Sequence, residues 1–492
     1  MLWLVGAGGA CGGRGGAAAD ASSANDAAFD GPADASSAND AARDSVSDGA
    51  ADTASPSSVF KLSDVSGLRL QVASDRTGVP VVMWTDPVSG ATSSVAWNEA
   101  ERQWAPLETL DGAGPYLIDP DGSGLPLLRW NVPQPANAQS FDMTTRRFDP
   151  ASGAWGAPVS LPDLGTEPSA YQLAIDGAGN AHALWHDGSS PSYWSWWRGD
   201  GAVWEVALPF EELYQLVAVP AATFMWFERN ALGVRRFDAP TASWSDVAQL
   251  ADLTQESSLR THLLVVGRDG APLMASLRRD PAQLAVEAWH GQPGTNLWGT
   301  RELIEDIPVT SDPNQLAGPV GACADPDHDF IWVPVPLADG SFDLHVERYD
   351  PGQGAWALSR VLHNDPGLGV PGLDLRTDQV GRAYGYSAGA TLMRLDPAAP
   401  TWRDTASGMG SGILRVSDSG AFVVGYANGD ELVAFRSDAG GEWRAARGYS
   451  GGAHPSVGSV PYAMEIAGPE RAVVVWTIAN GADAGVWAAF LE

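Results

Sequence analysis

A pattern of about 50 residues recurs nine times along this 492-residue chain, and it restricts the fold more than any other feature. Each repeat carries a short apolar run that is typical of a strand buried on both faces, such as residues 81–84. In eight repeats the run ends six residues after a Gly or Pro; the ninth lacks that Gly. The residues that end the runs are Trp84, Trp130, Trp185, Trp226, Ser276, Trp332, Ser387, Tyr426 and Trp476.

A second landmark is a tryptophan that follows within each of the first eight repeats: Trp104, Trp155, Trp204, Trp244, Trp298, Trp356, Trp402 and Trp443. In six repeats an apolar residue stands seven positions earlier: Trp97, Phe148, Trp197, Phe237, Tyr349 and Leu395. Turn residues such as Asp149-Pro150 separate the two, which predicts a hairpin whose flanking rings meet, worth up to ~1 kcal/mol per pair. We therefore expect these tryptophans to pack inside the fold and not to bind a ligand.

Four short strands per repeat describe the blades of a β-propeller. The ninth repeat supplies a third strand at 485–491, and an extra strand at 58–62 precedes the first repeat. If that N-terminal strand completes the last blade, the ring closes without an open sheet edge. We predict an all-β chain with a single β-propeller of eight or nine four-stranded blades over residues 56–492. The repeats with Ser276 and Ser387 are the weakest candidates for blades.

The hairpin spacing of an aromatic residue, six residues and Trp is similar to the kelch repeat. The paired glycines of that repeat are replaced here, for example by Trp84-Thr-Asp86. The turns at 176–180 and 417–420 resemble the Asp-box turns of sialidase-like propellers. Both resemblances imply a propeller, and fold-level similarity implies no activity by itself.

The N-terminal segment 1–11 resembles the end of a truncated signal sequence. Small residues before Cys11 resemble a bacterial lipoprotein cleavage site, although Gly8 stands where Leu or Val is usual. The hypotheses are a lipidated Cys11 and an unmodified one. Residues 12–55 are rich in Ala, Asp, Ser and Gly, which predicts a disordered linker. We expect an extracytoplasmic protein, secreted or tethered to the outer cell surface as a lipoprotein.

The net charge of −31 argues against a nucleic-acid partner and against an anionic membrane surface, because both require clustered Lys and Arg. Membrane contact is expected only through a lipid anchor. The two cysteines, Cys11 and Cys323, are too few for a disulfide framework. We expect the partner of this chain to be a protein or a glycan, and we expect the chain itself to be a monomer.

A catalytic role is not favoured. Sialidase chemistry needs a convergent arginine cluster, whereas arginines here recur one residue before the hairpin aromatic, at Arg147, Arg236, Arg348 and Arg394. That position predicts ion pairs with nearby Asp at the blade edges. His182 and His186 share one strand face but stand ~13 Å apart, too far to hold one metal ion. The interpretation is a non-catalytic binding module, and the alternative is a glycoside-processing, sialidase-like enzyme.

Two candidate sites follow from residues that the repeat does not need. Trp194 and Trp196 alternate with Tyr193 and Trp197, which predicts an aromatic surface for a sugar or a protein, or a filler between blades. The second candidate resembles the first half of a calcium loop.

That loop offers oxygen ligands at Asp119, Asp121 and Ser123, with Gly124 for the turn. It lacks the closing acid. We expect no cofactor. The loop has two interpretations: a calcium-binding loop, or a plain turn that connects two strands.

Overall fold

The computed structural model describes residues 59–491 except for short gaps, and within this part every regular element is a β-strand. The gaps are 76, 111–116, 121–125, 135–136, 161–169, 177–179, 187–191, 198–203, 211–214, 220–221, 229–230, 239, 242, 253–258, 268, 281–282, 309–320, 326–327, 338, 340, 365–372, 379, 388–390, 397–400, 407–408, 418–419, 428–430, 438–441, 447–461, 469 and 479–483. No helix long and apolar enough to cross a membrane occurs among the described residues.

These strands form nine antiparallel sheets, which we call blades and number along the chain. Strand β1 (Val59–Ser63) precedes the first blade. The strands of blades one to four are β2 (Leu68–Ser74), β3 (Pro80–Thr85), β4 (Thr92–Asn98), β5 (Gln103–Trp104) and β6 (Glu108–Leu110); β7 (Leu117–Pro120), β8 (Pro126–Gln134), β9 (Asn137–Asp149), β10 (Ala154–Trp155) and β11 (Val159–Ser160); β12 (Ala170–Ile175), β13 (Ala181–His186), β14 (Ser192–Trp197) and β15 (Trp204–Phe210); β16 (Gln215–Val219), β17 (Ala222–Glu228), β18 (Ala231–Asp238), β19 (Ser243–Trp244) and β20 (Ala248–Asp252).

Blades five to nine follow the same plan. Their strands are β21 (Leu259–Val266), β22 (Pro272–Asp280), β23 (Gln283–His290) and β24 (Glu302–Pro308); β25 (Gly321–Cys323), β26 (Phe330–Pro336), β27 (Phe342–Asp350) and β28 (Ala355–Asn364); β29 (Leu373–Thr377), β30 (Ala383–Ser387), β31 (Thr391–Leu395) and β32 (Arg403–Ala406); β33 (Met409–Ser417), β34 (Gly420–Ala427), β35 (Glu431–Ser437) and β36 (Trp443–Ala446); β37 (Tyr462–Ile466), β38 (Ala472–Ile478) and β39 (Gly485–Leu491).

Eight of the nine pairs of neighbouring blades touch through their first strands, as the blades of a propeller do. These contacts join β2 with β7, β12 with β16, β16 with β21, β21 with β25, β25 with β29, β29 with β33, β33 with β37, and β37 with β2. The first strands are therefore innermost, and the last strand of each blade lies at the circumference. The protein is an all-β propeller, and its described residues form nine blades. The repeats with Ser276 and Ser387 form complete four-stranded blades, the fifth and the seventh, in which both serines are buried.

The two ends of the propeller lie in one blade. Strand β1 pairs antiparallel with β39, so the strand order of the ninth blade is β1-β39-β38-β37. The N-terminal strand therefore completes the last blade, as predicted. Gly485 begins β39 with φ of +146°, and a Cβ at this position would lie 2.1 Å from the carbonyl oxygen of Ser63. Only glycine admits this close approach between the two strands.

An aromatic cluster joins the ninth blade to the first. The ring of Phe490 lies 4.8 Å from that of Trp97 and 6.2 Å from that of Trp104. The guanidinium of Arg471 lies over Phe490 at 4.6 Å and pairs with Glu99 of the first blade at 3.0 Å. Apolar burial and a cation–π contact thus hold the first and last blades together.

The predicted hairpin pairs are present in the four repeats in which both members are aromatic and both side chains are described. The ring centroids of the paired residues lie 5.2–5.5 Å apart for Trp97 and Trp104, Phe148 and Trp155, Phe237 and Trp244, and Tyr349 and Trp356. The same residues are direct cross-strand partners in the sheet. This confirms that these tryptophans pack within the fold.

A buried aspartate closes the turn after the first strand in several blades. Asp75 Oδ1 accepts hydrogen bonds from the backbone N–H of Thr77 at 2.8 Å and of Val79 at 2.9 Å. Asp176 and Asp378 accept the N–H four residues later at the same 2.9 Å distance. The carboxylate replaces backbone partners that the turn leaves unpaired, which explains why Asp recurs at this position.

We expect Phe490→Ala to reduce the free energy of unfolding by ~3–5 kcal/mol, because Phe490 is buried between the first and last blades. Denaturant titration followed by tryptophan fluorescence measures this loss. The control is Val88→Ala, since Val88 is 92% exposed and its truncation should cost less than ~0.5 kcal/mol. Equal losses for the two variants would contradict the packing described.

Candidate functional site

The sequence-predicted aromatic site lies in β14, where the backbone is described but the side chains are not. Trp194 pairs with Leu184 and Trp196 pairs with His182 on β13. Both partners on β13 are buried. The exposed aromatic surface therefore stays a prediction.

The predicted calcium loop and lipidation site fall almost entirely outside the described residues. Asp119 lies in β7, where its backbone pairs with Leu127, but its side chain is not described. Asp121, Ser123 and Cys11 lie outside the described residues altogether.

His182 is a core histidine. Its side chain is fully buried, its ring lies 4.7 Å from that of Phe237 in the fourth blade, and its Nε2 is 3.2 Å from Asp176 Oδ2. Burial opposes ionisation of Asp176, but hydrogen bonds from His182 and Asn180 outweigh it and hold the pKa of this carboxyl below its usual range. The side chain of His186 is not among those described.

The predicted ion pair between a recurrent arginine and a nearby Asp is present at Arg394. The guanidinium of Arg394 pairs with Asp396 on the same hairpin. Arg348 contacts the ring nitrogen Nε2 of His328. Burial lowers the pKa of Arg348, and the charge of Asp350 opposes that effect.

A cluster of titratable side chains that the sequence analysis missed lies between the fifth and sixth blades. It consists of Glu305 on β24 and of His345 and Glu347 on β27. One ligand atom from each of the three residues lies within 4.8 Å of the other two. We call this group the Glu-His-Glu cluster.

A β-bulge aims Glu305 into this cluster. Glu302 pairs with Ala288 and Glu305 pairs with Val286, so Ile304 is left without a partner in the ladder. Because positions 286 and 288 share a sheet face, the extra residue brings Glu302 and Glu305 onto one face. That face packs against the sixth blade.

Strand β27 supplies the other two side chains through simple alternation. Leu344 and Val346 are buried on one face, and His345, Glu347 and Tyr349 lie on the other. Alternation of this kind usually marks a strand with one face in water. Here the polar face meets the fifth blade instead.

The Glu-His-Glu cluster is tightly packed. His345 Nδ1 lies 2.9 Å from Glu305 Oε1. Glu347 is 4% exposed, and its cross-strand neighbour Ile331 belongs to the apolar cluster that fills this seam between the blades. A carboxylate and an imidazole therefore meet a second carboxylate at the edge of an apolar core.

The pKa values of Glu347 and His345 both depend on the charge of Glu305. Burial raises the pKa of the Glu347 carboxyl, and the charge of Glu305 raises it further, to about 7. The hydrogen bond to Glu305 raises the pKa of His345 above its usual value, although burial works against this. Near neutral pH the group can exchange protons or accept a cation in their place.

A second histidine in the same seam is held by two acids. His290 Nδ1 lies 3.3 Å from Glu302 Oε1, and its Nε2 lies 3.0 Å from Asp329 Oδ2. The centroid of its ring lies 4.1 Å from that of Tyr349, and the two ring planes are tilted by 35°. Burial opposes the charged ring, but Asp329 and Glu302 together hold the pKa of His290 above its usual range. Trp356 Nε1 also donates a hydrogen bond to Glu302 Oε2 at 2.9 Å.

Comparison with known proteins gives similarity of architecture alone. No protein-family model and no curated protein match the chain. Among solved structures, the chain is similar to polysaccharide lyase Uly1 at 10% identity, over 88% of this chain and 99% of that one, with a TM-score of 0.39. It is similar to the β-propeller domain of the Trilobed protease from Pyrococcus furiosus at 10% identity, over 65% and 91%, with a TM-score of 0.36.

A prolyl endopeptidase structure is similar at 14% identity and a TM-score of 0.37, over 65% of this chain. The chain spans about half the length of that protein, 49%. At these identities and scores the similarity assigns no activity, substrate or repeat family to the chain.

Glu347→Gln should remove a pH-dependent loss of stability. The native carboxyl, with a pKa of about 7, binds a proton more tightly than the unfolded one near 4.5, so wild-type stability falls as pH rises through this window. A shift of this size corresponds to ~3 kcal/mol. We expect the variant to gain about this much over wild type between pH 4.5 and 8 in metal-free buffer, measured by denaturant unfolding. A difference that does not change with pH would refute this account of Glu347.

Proposed function

We propose that the protein is a secreted or surface-tethered β-propeller that recognises a protein or glycan ligand and performs no catalysis. The observation that carries this proposal is the position of β1, the strand that follows the predicted linker. It forms the outer edge of the ninth blade. The linker therefore joins the propeller at its circumference, and attachment there leaves the two faces of the ring available to a partner.

The rest of the proposal concerns how the propeller is presented. Lipidation at Cys11 would anchor residues 12–55 to the outer cell surface, and this linker would hold the propeller away from it. A monomer without nucleic-acid contacts suits this arrangement, given the strongly acidic composition. The finer repeat assignment, a degenerate kelch-like or sialidase-like propeller, belongs to the same proposal.

The proposed ligand contacts are Trp194 and Trp196. Both are additional to the hairpin series, and tryptophan faces bind sugar rings and protein anchors well. Calcium bound by Asp119, Asp121 and Ser123 would order the turn before β8 and make binding depend on this ion.

The enzymatic alternative would need two carboxylates facing one accessible sugar-binding cleft. Glu305 and Glu347 are a close pair of carboxylates, and the raised pKa of Glu347 suits a general acid. However, Glu347 is 4% exposed and lies against the apolar seam between two blades. A sugar cannot reach this carboxyl without separating the blades, so the geometry favours recognition.

A binding experiment tests the proposal directly. The purified full chain is applied to a glycan array and to immobilised cell-surface proteins. Each measurement is made once in the presence of calcium and once in the presence of a chelator. We expect saturable binding that falls at least tenfold in the double variant Trp194→Ala/Trp196→Ala. Trp487→Ala is the matched control, because Trp487 lies in β39 of the ninth blade under Lys61 and should leave binding unchanged.

Two results would contradict this proposal. One is a folded chain that binds neither glycans nor protein. The other is turnover of a glycoside substrate that disappears in Glu347→Gln, which would favour the enzymatic alternative.

A further inference from the structure

We propose that Glu305, His345 and Glu347 bind one divalent ion of the first transition series, best matched by zinc, which bridges the fifth and sixth blades. The site is independent of the ligand surface proposed above. Its three donors come from two strands that belong to different blades, β24 and β27. An ion held between them would fasten the blades to each other.

The first support is geometry. Each residue offers one donor atom, and the three atoms lie within 4.8 Å of one another. Donors that lie ~2.0–2.2 Å from a common zinc ion are separated by distances of this order or less. The bulge at Ile304 turns Glu305 toward the sixth blade and so brings its carboxylate to the two donors of β27.

The second support is a buried carboxylate oxygen without a partner. Glu305 Oε2 is buried and has no hydrogen-bond partner among the described residues. Glu347, in the same cluster, is 4% exposed, and no described residue donates a hydrogen bond to it. A buried polar atom without a partner is costly and commonly marks a site completed by water or an ion.

The charges around the cluster point the same way. The charged groups that act on Glu347 in the described part of the chain are Glu305 and His345, and Asp343 adds a third carboxylate near His345. Another buried carboxylate of the fifth blade is compensated by arginine side chains. Glu287 is 1% exposed and pairs with Arg278 at 3.2 Å and with Arg301 at 3.6 Å.

The donor set selects the class of ion. An imidazole nitrogen with two carboxylates suits zinc and its neighbours, whereas calcium prefers six to eight oxygen ligands and magnesium prefers octahedral oxygen. The side chains of Glu305 and His345 are 24% and 18% exposed, so water can reach the cluster. A fourth position would be filled by water.

The test uses the full chain after removal of metals with EDTA. Zinc chloride is titrated by calorimetry, and thermal unfolding is followed with and without zinc. We expect one zinc site per chain that raises the unfolding temperature. Each of Glu305→Gln, His345→Gln and Glu347→Gln should weaken this site at least tenfold, since loss of even an indirect ligand contact costs that much.

The matched control is Asp343→Asn. Asp343 lies on the same strand and face as His345, but its carboxylate pairs with His363 at 2.7 Å. We expect its zinc affinity to stay within about threefold of the wild type. Glu347→Gln should fold well at neutral pH, so a loss of zinc binding in this variant reports on the ligand and not on folding.

Three results would overturn the proposal. The first is zinc binding that is unchanged in the three single variants. The second is a wild-type chain that binds no more zinc than the triple variant Glu305→Gln/His345→Gln/Glu347→Gln. The third is tighter binding of calcium than of zinc.

Discussion

The pairing of β1 with β39 is the constraint on which the rest of the propeller depends. A ring of sheets in which the last blade lacked its outer strand would expose the edge of β39 to other chains. The pairing links the sequence before the first blade to the end of the ninth, and Gly485 makes the close approach to Ser63 sterically allowed. Packing of Phe490 against Trp97 then joins this ninth blade, which contains both β1 and β39, to the first blade.

The seams between blades are built from different chemistry. The ninth and first blades meet through aromatic rings and one exposed ion pair. The third and fourth meet through the ring of His182, buried against Phe237. The fifth and sixth meet through acids and histidines at the border of an apolar core. The acids and histidines between the fifth and sixth blades can respond to pH and to cations. All blades therefore share one fold, but the side chains that join neighbouring blades differ from seam to seam.

Local features of the fold were predictable, because the repeat and the hairpin pairs depend on short spacings that a single sequence displays. Trp97 and Trp104, for example, are seven residues apart and meet directly. The blades with Ser276 and Ser387 looked doubtful only because tryptophan was used as the marker. The Glu-His-Glu cluster was not predictable, since His345 and Glu305 are 40 residues apart and meet through packing of two blades. A bulge also shifts Glu305 to a face that alternation alone would not assign.

Hydrogen exchange of the backbone amides in β1 tests the closed arrangement most directly. Strand β1 is the outer strand of its blade, and without β39 it would have no partner in the ladder. The account predicts that the amides of residues 59–63 that bond to β39 exchange as slowly as edge amides of other blades, with rates that rise in Phe490→Ala. Exchange of all these amides at the rate of an unstructured peptide would contradict it.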